Sequence, residues 1–269
     1  MQTPEILGII AGNGVYPKVL AVAARKAGVK KIVTAAFTDE TDPAIDKHVD
    51  VVEWLRVGQL GRLLKFFREH EVSRAIMAGQ IAPKNLFDLR PDVKALVVLA
   101  KLKQRNAESI FAAIAEELGK VDIHLLPATT FLDDELAAKG LIAGAKLSRA
   151  EEEDVDFGWN IAKEIARLDI GQAIIVKNGT VLAVEAFEGT NDAIKRGGAL
   201  AREGAVMIKV AKPNQDMRFD VPVIGIETIK VAADAKLRVI AIEAGKTLLL
   251  ERDKIIDLAQ RSKLSIFAR

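Results

Sequence analysis

The stretch ILGIIAGNGVYPKVLAVAARKAG, residues 6–28, decides the fold. Ile6–Ala11 is an apolar run of buried-strand type, Gly12-Asn13-Gly14 interrupts it, and Val15–Ala27 carries apolar residues at helical spacing up to Gly28. A second apolar run, Lys31–Phe37, follows at once. Strand, glycine turn, helix and strand in so short a span predict a parallel α/β sheet covered on both faces. The pattern continues with strands at Val49–Glu53 and Arg74–Ala78 around an amphipathic helix at Leu60–His70. Helices are expected from Pro91 to Lys101 and at Glu108–Leu118, and a strand at Val121–Leu126.

The character changes at Phe131–Asp156, which holds eight acids against Lys139, Lys146 and Arg149 and is punctuated by Gly140 and Gly144. We read 133–156 as an acidic linker between an N-terminal domain, 1–132, and a C-terminal α/β domain, 157–269. The acids at 151–156 suit the start of a helix over Phe157–Leu168, where the helix dipole favours anions. Beyond it, Asn178-Gly179 between the apolar runs Ala173–Lys177 and Val181–Ala186 is a hairpin signal. Further strands are expected at Val206–Val210, Val221–Ile226, Val239–Glu243 and Thr247–Leu250, with helices at Glu227–Ala235 and Arg252–Gln260.

Composition narrows the chemistry. The 269 residues carry 39 Lys+Arg against 37 Asp+Glu, a net charge of +2, which gives no basic face for nucleic acid. Without cysteine there is no disulfide frame, thiolate nucleophile or cysteine zinc site, and His48, His70 and His124 are too scattered for a His-based metal centre. No run approaches the ~20 apolar residues of a membrane span, and MQTPEILGII lacks the order of a signal peptide, so a cytoplasmic protein is expected.

Three places stand out for chemistry. The Gly12-Asn13-Gly14 turn lies where backbone N–H groups approach a phosphate, but Pro17 replaces the third glycine of a dinucleotide fingerprint, and a plain βα turn stays open. Asp39 lies near the place of a ribose-binding acid. In Lys209–Asp220 (KVAKPNQDMRFD), an extended 216–220 would point Asp216, Arg218 and Asp220 the same way, the two acids about 13–14 Å apart with a guanidinium between them. Such a set can hold Mg²⁺ and clamp phosphate oxygens; the alternative is a solvated loop with surface ion pairs. Glu185 interrupts an otherwise apolar strand, Glu188-Gly189-Thr190 closes it with Thr190 as a helix N-cap, and Asp169-Ile170-Gly171-Gln172 flanks another glycine turn.

Taken in order, LGIIAGNGVYP (7–17), AGQIAP (78–83), LDIGQ (168–172), VLAVEAFEGT (181–190), KVAKPNQDMRFDVPVIG (209–225) and EAG (243–245) resemble the LpxI-type UDP-2,3-diacylglucosamine pyrophosphatases of lipid A biosynthesis over essentially the whole chain. The resemblance implies a Rossmann-like N-terminal domain, a second α/β domain with a mixed sheet, and substrate held between them. It implies hydrolysis of UDP-2,3-diacylglucosamine to UMP and 2,3-diacylglucosamine 1-phosphate with Mg²⁺, or Mn²⁺ as the alternative. By analogy Asp220 is the acid for metal binding or direct catalysis, supported by Asp216, Arg218 and Lys212. Asp169, Glu185 and Glu188 are further metal candidates. Substrate contacts are expected at Gly12, Asn13, Gly14, Gly79, Gln80, Gln172, Gly189, Thr190, Lys209 and Gln215.

Two departures bear on this. Family members often carry Gly-Asp-Asp where this chain has Asn106-Ala107-Glu108, and commonly an Asp after Glu-Gly-Thr, where Asn191 stands here. The two acyl chains ask for an apolar cleft, and Val93–Lys103 either lines one, touches the inner membrane surface with its lysines, or packs as ordinary core. A homodimer is the expectation for an enzyme of this size. Competing readings are an NAD(P)-dependent oxidoreductase using the glycine turn and a non-catalytic nucleotide-sugar or lipid-binding protein.

Overall fold

The computed structural model describes residues 3–81, 91–103 and 107–269. The chain divides into two compact units: 1–132 together with 216–220, and 133–215 together with 221–269.

In the first unit, strands β1 (Ile6–Ala11), β2 (Lys31–Phe37), β3 (Val51–Leu55), β4 (Arg74–Ala78) and β5 (His124–Leu125) form one parallel sheet in the order β3-β2-β1-β4-β5. The sheet is the parallel one expected from the alternation of strand and helix. Helix α1 (Tyr16–Lys26) begins with a proline at its first turn, where the missing N–H costs nothing, and buries Leu20, Ala21 and Ala24. On the other face, α2 (Leu60–Glu69), α3 (Val93–Lys101) and α4 (Ala107–Gly119) close a core around Ile10, Val33, Ala35, Phe67, Met77 and Leu118. Strand order reverses at the junction of β1 and β4, where open α/β sheets leave a crevice beyond the strands' carboxyl ends.

The second unit holds a six-stranded mixed sheet, β6-β13-β11-β9-β7-β8, built from β6 (Gly140–Ala143), β7 (Ala173–Lys177), β8 (Thr180–Val184), β9 (Val206–Lys209), β11 (Val239–Ile242) and β13 (Ser265–Ala268). Strands β9, β11 and β13 are parallel, whereas β6, β7 and β8 enter antiparallel. The short strands β10 (Val223–Ile224) and β12 (Leu248–Leu249) pair separately. Side chains alternate across the sheet: Ile174, Val176 and Ile208 face α5 (Arg149–Arg167), while Ile175, Met207 and Ile240 face α6 (Thr190–Ala201), α7 (Ile226–Asp234) and α8 (Arg252–Arg261).

Residues 133–156, read from their charges as a linker, hold regular structure of this unit. They contain a 3₁₀ turn at Asp133–Glu135, strand β6 against β13, and the first two turns of α5. Helix α5 therefore starts at Arg149 rather than Phe157. Ser148 caps it, its hydroxyl accepting from Glu151 N while the Glu151 carboxylate accepts from Ser148 N. The Asn178-Gly179 hairpin forms as expected, both residues at positive φ.

Candidate functional site

Antiparallel entry of β7 and β8 brings the start of β7 and the ends of β8, β9 and β11 to one end of the second sheet. Glu185 lies one residue past the end of β8 rather than inside a buried strand, and is half-exposed. Its carboxylate accepts from the Thr190 hydroxyl at 2.6 Å and from Gln172 N at 3.2 Å. Thr190 is the first residue of α6 rather than its cap; Gly189, at φ 84°, holds the cap position. The Thr190 oxygen in turn accepts from Lys209 Nζ at 2.9 Å, and Lys209 also donates to Val223 O at 3.4 Å, close before α7. Helices α6 and α7 both begin on glycine caps without a side-chain cap bond, leaving the positive ends of two dipoles beside these cations.

The same end holds Lys212, paired with Asp169, and Gln215, whose Oε1 accepts from Lys212 N at 2.7 Å and whose amide reaches Gln172 Oε1 at 3.5 Å. Asp169, Gln172, Glu185, Thr190, Lys209, Lys212 and Gln215 thus form one polar cluster. Glu188 turns to Arg196 and Ala186 N instead; its own backbone N–H and then Arg196 hold its carboxyl below the usual range.

The KVAKPNQDMRFD segment does not stay in one unit. Residues 209–215 belong to the second unit and Asp216–Asp220 to the first. The extended arrangement expected for 216–220 is not what forms. Phe219 N and Asp220 N both donate to Asp216 O, curling the chain, and the Asp216 carboxylate takes Arg218 N and the Arg218 guanidinium, with Nη2 at 2.6 Å. A short acidic side chain that satisfies the next amides stabilises a turn over a strand. Arg218 hydrogen bonding holds the Asp216 carboxyl below its usual range. Ala128 N donates to Met217 O at 2.7 Å, and the Phe219 ring lies 5.9 Å from that of Phe111, centroid to centroid. Asp220 is half-exposed in this turn.

In the first unit the glycine turn meets the loop after β4. Gly12 N donates to Ala78 O and Asn13 N to Gln80 O, and Asn13 and Gln80 form an isolated bridge. Both amides are thereby bonded to protein carbonyls. Gly79, at φ 92°, is required there, since a Cβ would lie 2.5 Å from Asn13 O. Gly14 is open, with nothing near its added Cβ. Asp39, the proposed ribose acid, is exposed. Beside this crossing lies an apolar cavity of about 110 Å³ at the carboxyl ends of the strands, lined by Ile10, Phe37, Met77, Val98, Phe111 and Ile114 among others. Val93–Lys103 divides its roles: Ala95 and Val98 are buried and line that cavity, while Val93, Leu96 and Val97 are exposed.

Among the described residues, no three His, Cys, Asp or Glu side chains are grouped to hold a metal ion. The set Asp220, Glu185, Glu188 and Asp169 is therefore not a preformed cage, because Asp169, Glu185 and Glu188 each bond to another protein partner. Glu108, the remaining acid at the altered 106–108 position, is exposed in the first turn of α4; Ala82, Pro83 and Asn106 lie outside the described residues.

Sequence reasoning gave no role to Lys163 and Glu243. Glu243 Oε2 accepts from Lys163 Nζ at 2.5 Å and from Ala211 N at 2.8 Å, and Lys163 Nζ also donates to Ala211 O at 3.1 Å. Burial pushes the Glu243 carboxyl upward, but the Lys163, Ala211 and Lys246 hydrogen bonds outweigh it and hold it below its usual range. The signal was a carboxylate at the end of the apolar run Val239–Ile242, in the EAG motif.

A parallel-sheet unit followed by a mixed-sheet unit, the latter with Lys209, Lys212 and two helix N-termini at one sheet end, defines a two-domain α/β protein. Residues 6–135 match the LpxI N-terminal domain and residues 138–267 the LpxI C-terminal domain, so the chain belongs to the LpxI family. It is 32% identical over 268 residues to the UDP-2,3-diacylglucosamine pyrophosphatase LpxI of Caulobacter vibrioides, an alignment covering 94% of this chain and 93% of that protein.

Proposed function

We propose that the chain hydrolyses the pyrophosphate bond of UDP-2,3-diacylglucosamine, releasing UMP and 2,3-diacylglucosamine 1-phosphate, a step of lipid A biosynthesis. The observation that carries this reading is the hydrogen-bonded cluster from Asp169 to Lys209 beside two glycine-capped helix starts. Cleaving a diphosphate asks for positioning and for stabilisation of charge on phosphoryl oxygens. Lys209 and Lys212 supply that charge; Thr190 and Gln215 orient them. The apolar cavity of the first unit suits an acyl chain, and Gly12 N and Asn13 N, which donate to protein carbonyls, give the dinucleotide alternative no support.

Asp220 is the residue that would hold Mg²⁺, or Mn²⁺, since Mg²⁺ is commonly bound by one or two protein carboxylates rather than by a full protein cage. When bound it would add positive charge against the diphosphate. Incubating the protein with UDP-2,3-diacylglucosamine and Mg²⁺ should release UMP, and chelation should stop it; absence of UMP would overturn the reading. Asp220→Ala should bind substrate yet lose nearly all turnover, and near-normal hydrolysis would remove Asp220 from the reaction.

Among the described residues no helix is long and apolar enough to cross a membrane. A lipid substrate is met at a bilayer, and the exposed Val93, Leu96 and Val97 beside Lys94 and Lys101 suit peripheral contact with anionic lipid. Co-flotation with anionic but not neutral vesicles is expected; loss of it in Leu96→Asp would assign the surface.

A further inference from the structure

We infer that Lys163 and Glu243 are positioning residues for the pyrophosphatase reaction, gripping the backbone of Ala211 so that Lys212 and Gln215 are presented in fixed register at the end of the second sheet. The inference rests on the function proposed above and adds to it the part that sets the geometry of the cationic loop.

Both polar backbone groups of Ala211 are taken by one ion pair. Its N–H donates to Glu243 and its C=O accepts from Lys163, while Lys163 and Glu243 bond to each other. The two side chains come from different elements, α5 and the end of β11, so the loop is tied at once to a helix on one face and to a central strand. One residue earlier, Val210 N donates to Gln172 O, and one residue later Lys212 N donates to Gln215. Ala211 is fully buried and next to Lys212, which leaves that lysine no backbone slack.

A partly buried ion pair is a poor way to add stability, because desolvation offsets much of the attraction. The Glu243 and Lys163 side chains are 12% and 31% exposed. What such a pair supplies well is direction: two charge-assisted hydrogen bonds to one peptide hold its orientation. Catalytic groups misplaced by about 1 Å can lose about 10²-fold in rate. Lys246 bonds the second Glu243 oxygen at 3.0 Å and keeps the carboxylate from rotating away from Ala211.

Steady-state UMP release is compared for wild type, Lys163→Met, Glu243→Gln and Lys163→Arg, with circular dichroism and melting temperature for each. The expected result is native dichroism throughout, a fall of about 10- to 100-fold in kcat for Lys163→Met and Glu243→Gln with KM little changed, and substantial recovery in Lys163→Arg. Wild-type kinetics in Lys163→Met and Glu243→Gln would overturn the inference, as would a Lys163→Arg protein no better than Lys163→Met. Loss of fold in both would make the pair a stabilising element and overturn it too. An inactive wild type would instead defeat the proposed function, so the two failures are told apart.

Discussion

A methyl group at position 171 would have to share space with a carbonyl. A Cβ built on Gly171 falls 2.0 Å from Glu185 O, a backbone atom that cannot swing aside. Gly171→Ala must therefore push the Glu185 backbone away and, with it, the carboxylate that receives Thr190 and Gln172. We expect a loss of about 1–3 kcal/mol in urea unfolding, the range for overpacking, together with reduced UMP release. Wild-type stability and activity in Gly171→Ala would show that the 168–172 and 185–190 loops can part without consequence. Composition reveals none of this, because glycine after a helix reads first as helix termination. Lys209, Lys212, Gln215, Glu185 and Thr190 could be singled out as candidates because they stand at the ends of apolar runs or in the polar segments that join them. Asp216 and Arg218 were legible as a pair but not as a turn, since a carboxylate two residues before a guanidinium serves an extended strand and a curled loop equally well.

Elements were easiest to read where hydrophobic period and turn chemistry agree. Lys31–Phe37, Arg74–Ala78 and Ala173–Lys177 form as the period predicts, and Asn178-Gly179 turns where its left-handed preference allows. What escaped was tied to contacts distant in sequence. Asp154, counted among the acids favouring a helix start, is buried, and its carboxylate accepts from Asn178 N at 2.9 Å and Gly179 N at 2.7 Å. An acid of α5 thus satisfies the hairpin turn of β7–β8. Replacing Asp154 by Ala strands two backbone donors, and the expected cost is about 1–3 kcal/mol in chemical denaturation, with the hairpin amides exchanging faster than those of β11. Equal protection of residues 178 and 179 in the variant and wild type would count against the turn depending on Asp154. Strand β6 was hidden for a related reason: Gly140–Ala143, a run of four residues between Lys139 and Gly144, becomes a strand only because β13 offers it an edge.

At the scale of the molecule, charge and connectivity each have a measurable consequence. The carboxyls of Asp50, Glu117, Asp216 and Glu243 lie below their usual range, the net result of opposing burial and of Arg or Lys hydrogen bonds, with an added Ile32 N–H on Asp50 and Ala211 N–H on Glu243. A folded pKa below the unfolded one means the native state holds fewer protons, so this stabilisation is present at neutral pH. It is lost as pH falls from the unfolded carboxylate range of about 4 through the folded values. Glu135 has the opposite sign, because burial raises its pKa. Melting temperature should be flat from about pH 7 to 6 and decline below about 4.5; a flat profile down to pH 3 would show these pairs to be energetically idle. Connectivity follows from the 216–220 excursion, since a segment of the carboxy-terminal half belongs to the first compact unit. Phe219 packs beside Phe111 and joins the core that contains Leu118 and Ile123. Phe219→Ala should therefore weaken the unit formed by residues 1–132, by about 1–3 kcal/mol for a buried aromatic face. Hydrogen exchange in the intact chain reads this directly: amides around 111–128 should lose protection while those of β9 and β11 keep theirs. Protection lost only within 133–269 would mean that Phe219 serves the second unit.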